Sequence, residues 1–208
     1  MLRNASSTNV CASRSWQNVV YAVDNSTWPL HVSLNKGREA NVYLTYIVDH
    51  YDDLPSTIAF VHSHEKGWPQ AWHTDAKDYS NLNSLHSLNT AFVQRNGYVN
   101  LRCISNPGCP AEILPFREFY DPEDKEDRSA EMAYAETWRY LFENDDVPKL
   151  VGTPCCAQFA VSRDQVLKRP KTFYVRALQW LHDTPLRDYT SGRIFEYMWH
   201  IIFGQTAV

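Results

Sequence analysis

No stretch of this 208-residue chain reaches the roughly eighteen apolar residues that cross a bilayer. Its polar start, "MLRNASSTNVCASRSW", has no hydrophobic signal region. Those absences exclude a helical membrane span and a recognisable leader. The chain reads as soluble and cytoplasmic, with a secretory route only if its N-terminus is incomplete. Neither sign of charge dominates: a net charge of -4 provides no global field to recruit nucleic acid. There is no internal repeat, no low-complexity segment and no break in composition. A single α/β domain over residues 16–208 follows, preceded by a loosely ordered segment at 1–15. The five cysteines, Cys11, Cys103, Cys109, Cys155 and Cys156, have spacings unlike a zinc ribbon. Nor is there the full glycine pattern of a P-loop or a dinucleotide fingerprint.

Aromatics are plentiful instead, with seven tryptophans and twelve tyrosines. They imply a core of large side chains or aromatic-walled pockets. Asn4-Ala5-Ser6 and Asn25-Ser26-Thr27 match the glycosylation acceptor pattern, which matters only in a secreted protein. Cys103 and Cys109 either pair across "ISNPG" or stay free, and the vicinal Cys155 and Cys156 read as buried thiols or as a nucleophilic or redox pair.

Hydrophobic periodicity sets out the elements. "NVVYAV", 18–23, reads as a buried strand; Ala40, Leu44, Ile47, Val48 and Tyr51 mark a helix over 40–52; "TIAFVH", 57–62, is the next strand. Leu82, Leu85, Leu88, Phe92 and Val93 mark a second helix closed by Gly97, and "YVNLRCI" alternates like a strand. Past the charged "DPEDKEDRSAE", a solvated loop or helix start, the residues Met132 to Phe142 return to helical spacing. "AQFAVS" is a strand, "SRDQ" a capping box on a short helix, and helices over 172–182 and 192–203 end the chain. This alternation predicts a three-layer domain, its sheet mostly parallel and covered by helices on both faces. In such sheets ligands sit at the carboxyl ends of the strands. The candidate site loops are therefore the turn at 35–39, the loop at 62–73 and the segment entered by "LRC".

Those loops hold the chemistry. His62, His64 and His73 could bind a divalent cation, His62 and His64 as the chelating pair with His73 or Asp75 as a third ligand, or could form hydrogen-bonded histidines flanked by Trp68 and Trp72. "NKGRE", residues Asn35, Lys36, Gly37, Arg38 and Glu39, could hold a phosphate or carboxylate at a helix N-terminus, or be a tight turn with Glu39 in the first helical turn. Glu196 and His200 lie one turn apart with Arg193 three before Glu196, an acid/base set or a solvated ion pair. Asp49, Asp52 and Asp53 are acids at the end of the first predicted helix.

Five motifs in order, "NKGREANVYLTYIVDHYDDLP", "FVHSH" with the following "WH", "GYVNLRC" with "PGCP", "CCAQFAVSRDQVL" and "SGRIFEYMWHIIFG", resemble a largely fungal family classed as a domain of unknown function. The order of pieces is also similar to nucleotide-sugar glycosyltransferases of the GT-A type, in which a phosphate-side turn precedes a helix and a strand ending in two acidic residues separated by one. Here that strand end reads His62-Ser63-His64, without the carboxylates that usually hold a divalent cation. The resemblance also places a first strand before Trp16, so the chain looks like a shortened member. It implies a GT-A-like, Rossmann-like group-transfer enzyme of fungal secondary metabolism acting on a small-molecule or nucleotide-linked donor. On that view "NKGRE" and Arg102 take the anionic donor group, His62, His64, Trp72 and His73 line the reaction centre, and Glu196 or Asp49 is the general base. Some similar fungal proteins make arginine-containing cyclic dipeptides from aminoacyl-tRNA, which would make tRNA a partner. The alternative of another class is a non-catalytic accessory protein.

Overall fold

A computed structural model describes residues 2–4, 16–68, 72–119 and 127–208. Cys11, most of the segment at 1–15, and part of the charged run before Asp127 lie outside the described residues. Five strands order as β2-β1-β3-β5-β4, with β1 at Leu2–Asn4, β2 at Trp16–Asn18, β3 at Thr57–Phe60, β4 at Tyr98–Asn100 and β5 at Phe159–Ser162. A strand thus precedes Trp16, counter to the expected loss of one.

Every ladder is antiparallel, and this corrects the expected mostly parallel sheet. β5 lies between β3 and β4 and runs against both, so those two strands run parallel to each other without touching. Fully buried strands such as "TIAF" and "FAVS" read as continuous apolar runs whichever way their neighbours point. Direction was therefore invisible in the pattern.

Two-residue alternation divides the buried side chains between the sheet faces. Ile58, Phe60, Phe159 and Val161 join the larger apolar cluster, whereas Ala59, Val61 and Ala160 join a smaller one with Leu85, Val93 and Leu101. The large cluster is built by α1 (Glu39–His50), α4 (Ser129–Phe142), α6 (Lys171–Asp183), α7 (Asp188–Glu196) and α8 (Trp199–Ile202). On α1 the buried Ala40, Tyr43, Leu44 and Ile47 repeat three and four apart, which is the helical core stripe. The small cluster rests on α2 (Asn81–Ser87) and α3 (Thr90–Asn96). These replace the single second helix because Leu88 is extended (φ -63°, ψ 123°) and Asn89 caps a new start by accepting from the Phe92 N–H. Ser162 caps the short α5 (Arg163–Val166) by accepting from the Gln165 N–H, but the expected capping box is only half formed, because the Ser162 N–H goes to the Gly97 carbonyl and the Gln165 side chain to that of Phe203.

Two further expectations fail. "NVVYAV" is not one buried strand: Asn18 ends β2 and Val19 is buried, but Val20 is 55% exposed and Val23 39%, and beyond β2 Ala22 makes an isolated bridge to His31. Both valines face a cleft instead. The last helix is also broken, α7 ending at Glu196 and α8 starting at Trp199. The bend turns Glu196 and His200 in different directions.

Candidate functional site

A cleft of about 800 Å³ opens where α1 begins and β3 ends, within the size range of small-molecule sites. Trp16, Tyr21, Asn35, Arg38, Glu39, Tyr43, His62, His64 and Asn81 are among its walls. Four residues singled out by sequence, Arg38, Glu39, His62 and His64, therefore share one concavity, with Asn35 at its edge.

"NKGRE" divides its residues between two tasks. Gly37 holds a positive φ of +72° and packs so close to α6 that an added Cβ would lie 2.4 Å from a Leu181 methyl. Lys36 donates its Nζ to the carbonyls of His182 and Thr184 at the end of α6, where cationic groups complement the helix dipole. Lys36 thus anchors the turn rather than charging the cleft, a correction to its expected role. Arg38 adopts φ 55° and ψ -138°, a region costly for a side-chain-bearing residue. Its guanidinium lies over the Tyr189 ring at 4.8 Å, and its stem runs across Gly192, where a Cβ would come within 3.2 Å of it.

Glu39 follows at the first position of α1. Burial pushes its carboxyl up to about 7, and the nearby Glu196 charge adds to this while its own backbone N–H and Arg38 oppose it. A carboxyl titrating near neutrality is suited to proton transfer. Glu196 is also raised, chiefly by burial, although it accepts the Cys156 N–H at 2.5 Å and lies 3.8 Å from Arg193. Arg193 in turn pairs with Glu112. Arg38 acts electrostatically on Glu39, Glu196 and His62 together.

The histidine loop is tied by two amides that sequence reasoning missed. The Gln158 Oε1 accepts the His62 N–H at 2.7 Å, while its Nε2 donates to the His73 carbonyl at 2.9 Å. Asn81 donates to the His64 carbonyl at 2.7 Å and to that of His62 at 3.3 Å. A polar residue only 1% exposed at the mouth of an apolar strand was the one available sign of Gln158. The rings of His62 and His73 meet with Nδ1 atoms 3.2 Å apart. Burial, then His73 and His64, pushes His62 down to about 3, and burial lowers His73 as well. His62 is therefore a neutral hydrogen-bonding group near pH 7, not a reservoir of acid.

The cation expected at His62 and His64 does not fit. His62 Nδ1 is taken by His73, His64 is exposed, and no acid stands between them. Among the described residues, the group of three ligand residues that converges is Cys155, Cys156 and Glu196, their donor atoms within 4.8 Å of one another. The two cysteines are joined in a vicinal disulfide, whereas Cys103 and Cys109 are free thiols and do not pair.

Other candidates lie outside the cleft. Arg102 is 6% exposed, lies over the Trp72 ring at 4.9 Å and donates to the carbonyls of Trp72 and Asn106. It braces loops rather than waiting for an anion. Trp72 stacks on His73 at 4.7 Å, and Trp68 pairs with Tyr79 at 5.9 Å. Asp75 accepts the N–H groups of Cys103 and Ile104. Asp49 is exposed near the far end of α1, more than two helical turns from Glu39, and does not line the cleft. His200 Nε2 donates to the Ala207 carbonyl, 3.3 Å away, and forms no pair with Glu196.

A family model described as "Protein of unknown function (DUF3431)" matches residues 5–208. The chain belongs to that family. No curated protein and no solved structure matches this DUF3431 chain. No helix among its described residues is long and apolar enough to cross a membrane.

Proposed function

We propose that this DUF3431 protein is a group-transfer enzyme of glycosyltransferase-like type that takes an anionic donor in the cleft, with Arg38 as the anion contact and Glu39 as general base. The single observation that carries this reading is the adjacency of Arg38 and Glu39 on one cleft wall, an accessible cation beside a carboxyl titrating at about 7. Arg38 spends backbone strain to reach its position, and such strain is concentrated at functional sites. Once a donor phosphate or carboxylate pairs with Arg38, Glu39 stands next to the donor with a proton affinity suited to activating an acceptor hydroxyl or amine. The neutral His62 orients groups by hydrogen bonding, and no step runs through a metal.

A second reading, tRNA-dependent synthesis of arginine-containing cyclic dipeptides, draws on the same carboxyl. Glu39 feels Arg38 only through its charge, without a hydrogen-bonded ion pair, and would gain a direct partner from a guanidinium in the cleft. An accessory binding role draws on the stacking of His73 with Trp72.

Thermal shift with uridine and guanosine diphosphate sugars in one arm and arginyl-tRNA minihelices in the other separates these readings. Ligand at a hundred times its Kd stabilises by about 2.7 kcal/mol, which raises Tm by roughly 5–10 °C for a chain of this size. Arg38→Met should abolish the shift, whereas Glu39→Gln should retain it and abolish turnover. No shift with any anionic donor at millimolar concentration overturns the donor-binding reading.

A further inference from the structure

Behind the cleft, two sulfurs and a carboxylate converge without a role in the transfer chemistry. Cys155 and Cys156 are 3% and 6% exposed. Their Sγ atoms and a Glu196 carboxylate oxygen all lie within 4.8 Å of one another. The chain makes room for this: an added Cβ on Gly108 would lie 2.0 Å from the Thr153 carbonyl oxygen and 3.0 Å from the Cys155 nitrogen. Cys156 and Ala157 both hold positive φ, 89° and 49°, a costly path for two residues with side chains.

His62 stands beside the group: its buried Nε2 makes no well-formed hydrogen bond, and the Cys156 carbonyl is the backbone acceptor that raises its proton affinity. Two sulfurs and one carboxylate are donor types of zinc sites.

We propose that reduction of the Cys155–Cys156 bond opens a site for a thiophilic divalent cation of the zinc and cadmium class, held by both thiolates and Glu196. The disulfide takes up two electrons and two protons from a phosphine reductant and water, giving two thiols and the phosphine oxide. Binding of the cation then releases the two thiol protons. A thiolate pair on adjacent residues selects soft metals over magnesium or calcium. The oxidised and reduced protein thus differ in one property: only the reduced one has the sulfur ligands.

The experiment uses the full chain and the metal alone, so it does not depend on any donor. The protein is treated with a phosphine in its folded state, desalted without oxygen, and titrated with Cd²⁺ while the ultraviolet sulfur-to-metal charge-transfer band is followed. A thiol count after unfolding registers reduction. The expected result is a band saturating at one equivalent in the reduced protein and none in the oxidised protein. Cys155→Ser and Cys156→Ser each remove the band, and Cys103→Ser keeps it. Glu196→Gln, an isosteric change that leaves the sulfurs in place, weakens Cd²⁺ by at least about tenfold. Zn²⁺ displaces Cd²⁺ with loss of the band. A bond that resists the phosphine in the folded protein, a band that survives Cys155→Ser, or equal affinity in Glu196→Gln overturns the proposal.

Discussion

The two ends of the α1 surroundings differ in what they bring together, aromatic rings at one and charged, titratable groups at the other. On the large sheet face, Tyr43, Phe60, Phe159, Trp199 and Phe203 form a continuous run of ring contacts between 4.7 and 6.0 Å, and all but Tyr43 and Trp199 are wholly inaccessible. At the cleft, a strained arginine, two carboxyls raised by burial, and an imidazole nitrogen without a well-formed hydrogen bond lie within electrostatic reach of one another. One region is held by ring packing, although its Tyr43 hydroxyl and Trp199 Nε1 are buried without a partner; the other concentrates charge and shifted proton affinities. Such a division is expected where stability elsewhere supports a site selected for chemistry.

The largest expected effect breaks the packed side. Trp199→Ala removes an indole that touches Tyr43, Phe159, Phe195 and Phe203, and should cost about 3–5 kcal/mol in denaturant unfolding. A loss under 1 kcal/mol would mean that the face is less tightly filled than the contacts imply.

Next come the two pH dependences, which should have opposite signs. Glu39 rises from 4.5 to about 7 on folding, so its share of stability is present below pH 4.5 and is lost as pH rises through 7. His200, on the packed side, falls from 6.5 to about 4 through burial, so its share is present above pH 6.5 and is lost as pH falls through 4. Each is worth at most about 3 kcal/mol. Glu39→Gln should therefore stabilise the protein at pH 8 and change little at pH 4, and His200→Asn should flatten the acid side alone. Chemical denaturation across pH 4–8 measures both, and a Glu39→Gln benefit that is equal at the two extremes would refute the titration argument.

Gly108→Ala probes the backbone behind the disulfide. With φ +119° and the Thr153 oxygen 2.0 Å from the new Cβ, it should cost roughly 1–3 kcal/mol, read as a fall in unfolding midpoint. The smallest effect belongs to an exposed pair remote from both regions. Lys171 and Asp52 are 3.3 Å apart, with side chains 43% and 86% exposed, and Lys171→Ala should change stability by less than about 0.5 kcal/mol.

Local pattern was enough for α1, α4, α5, α6 and the buried strands β3 and β5, because an apolar stripe or run has to be covered wherever the chain goes. It was also enough to place Arg38, Glu39, His62 and His64 on neighbouring loops. The failures share a cause. "NVVYAV" looked like a strand because its apolar residues were assigned to the core, whereas Val20 and Val23 line the cleft. Lys36, Arg102 and Asp49 looked available because charge on a loop or helix end is visible while its partner, 146 residues away for Lys36 and His182, is not.

What adjacent residues could settle was therefore the set of elements and the chemistry-bearing loops, since helical and strand periodicity are short-range properties. Only the tertiary structure decided that β5 runs antiparallel between β3 and β4, that Gln158 and Asn81 hold the histidine loop, and that Glu196 adds to the burial that raises the proton affinity of Glu39. Strand direction, hydrogen bonding across the chain and burial of charge all depend on groups far apart in sequence. Their free energies exist only once those groups have been brought together and water removed from between them.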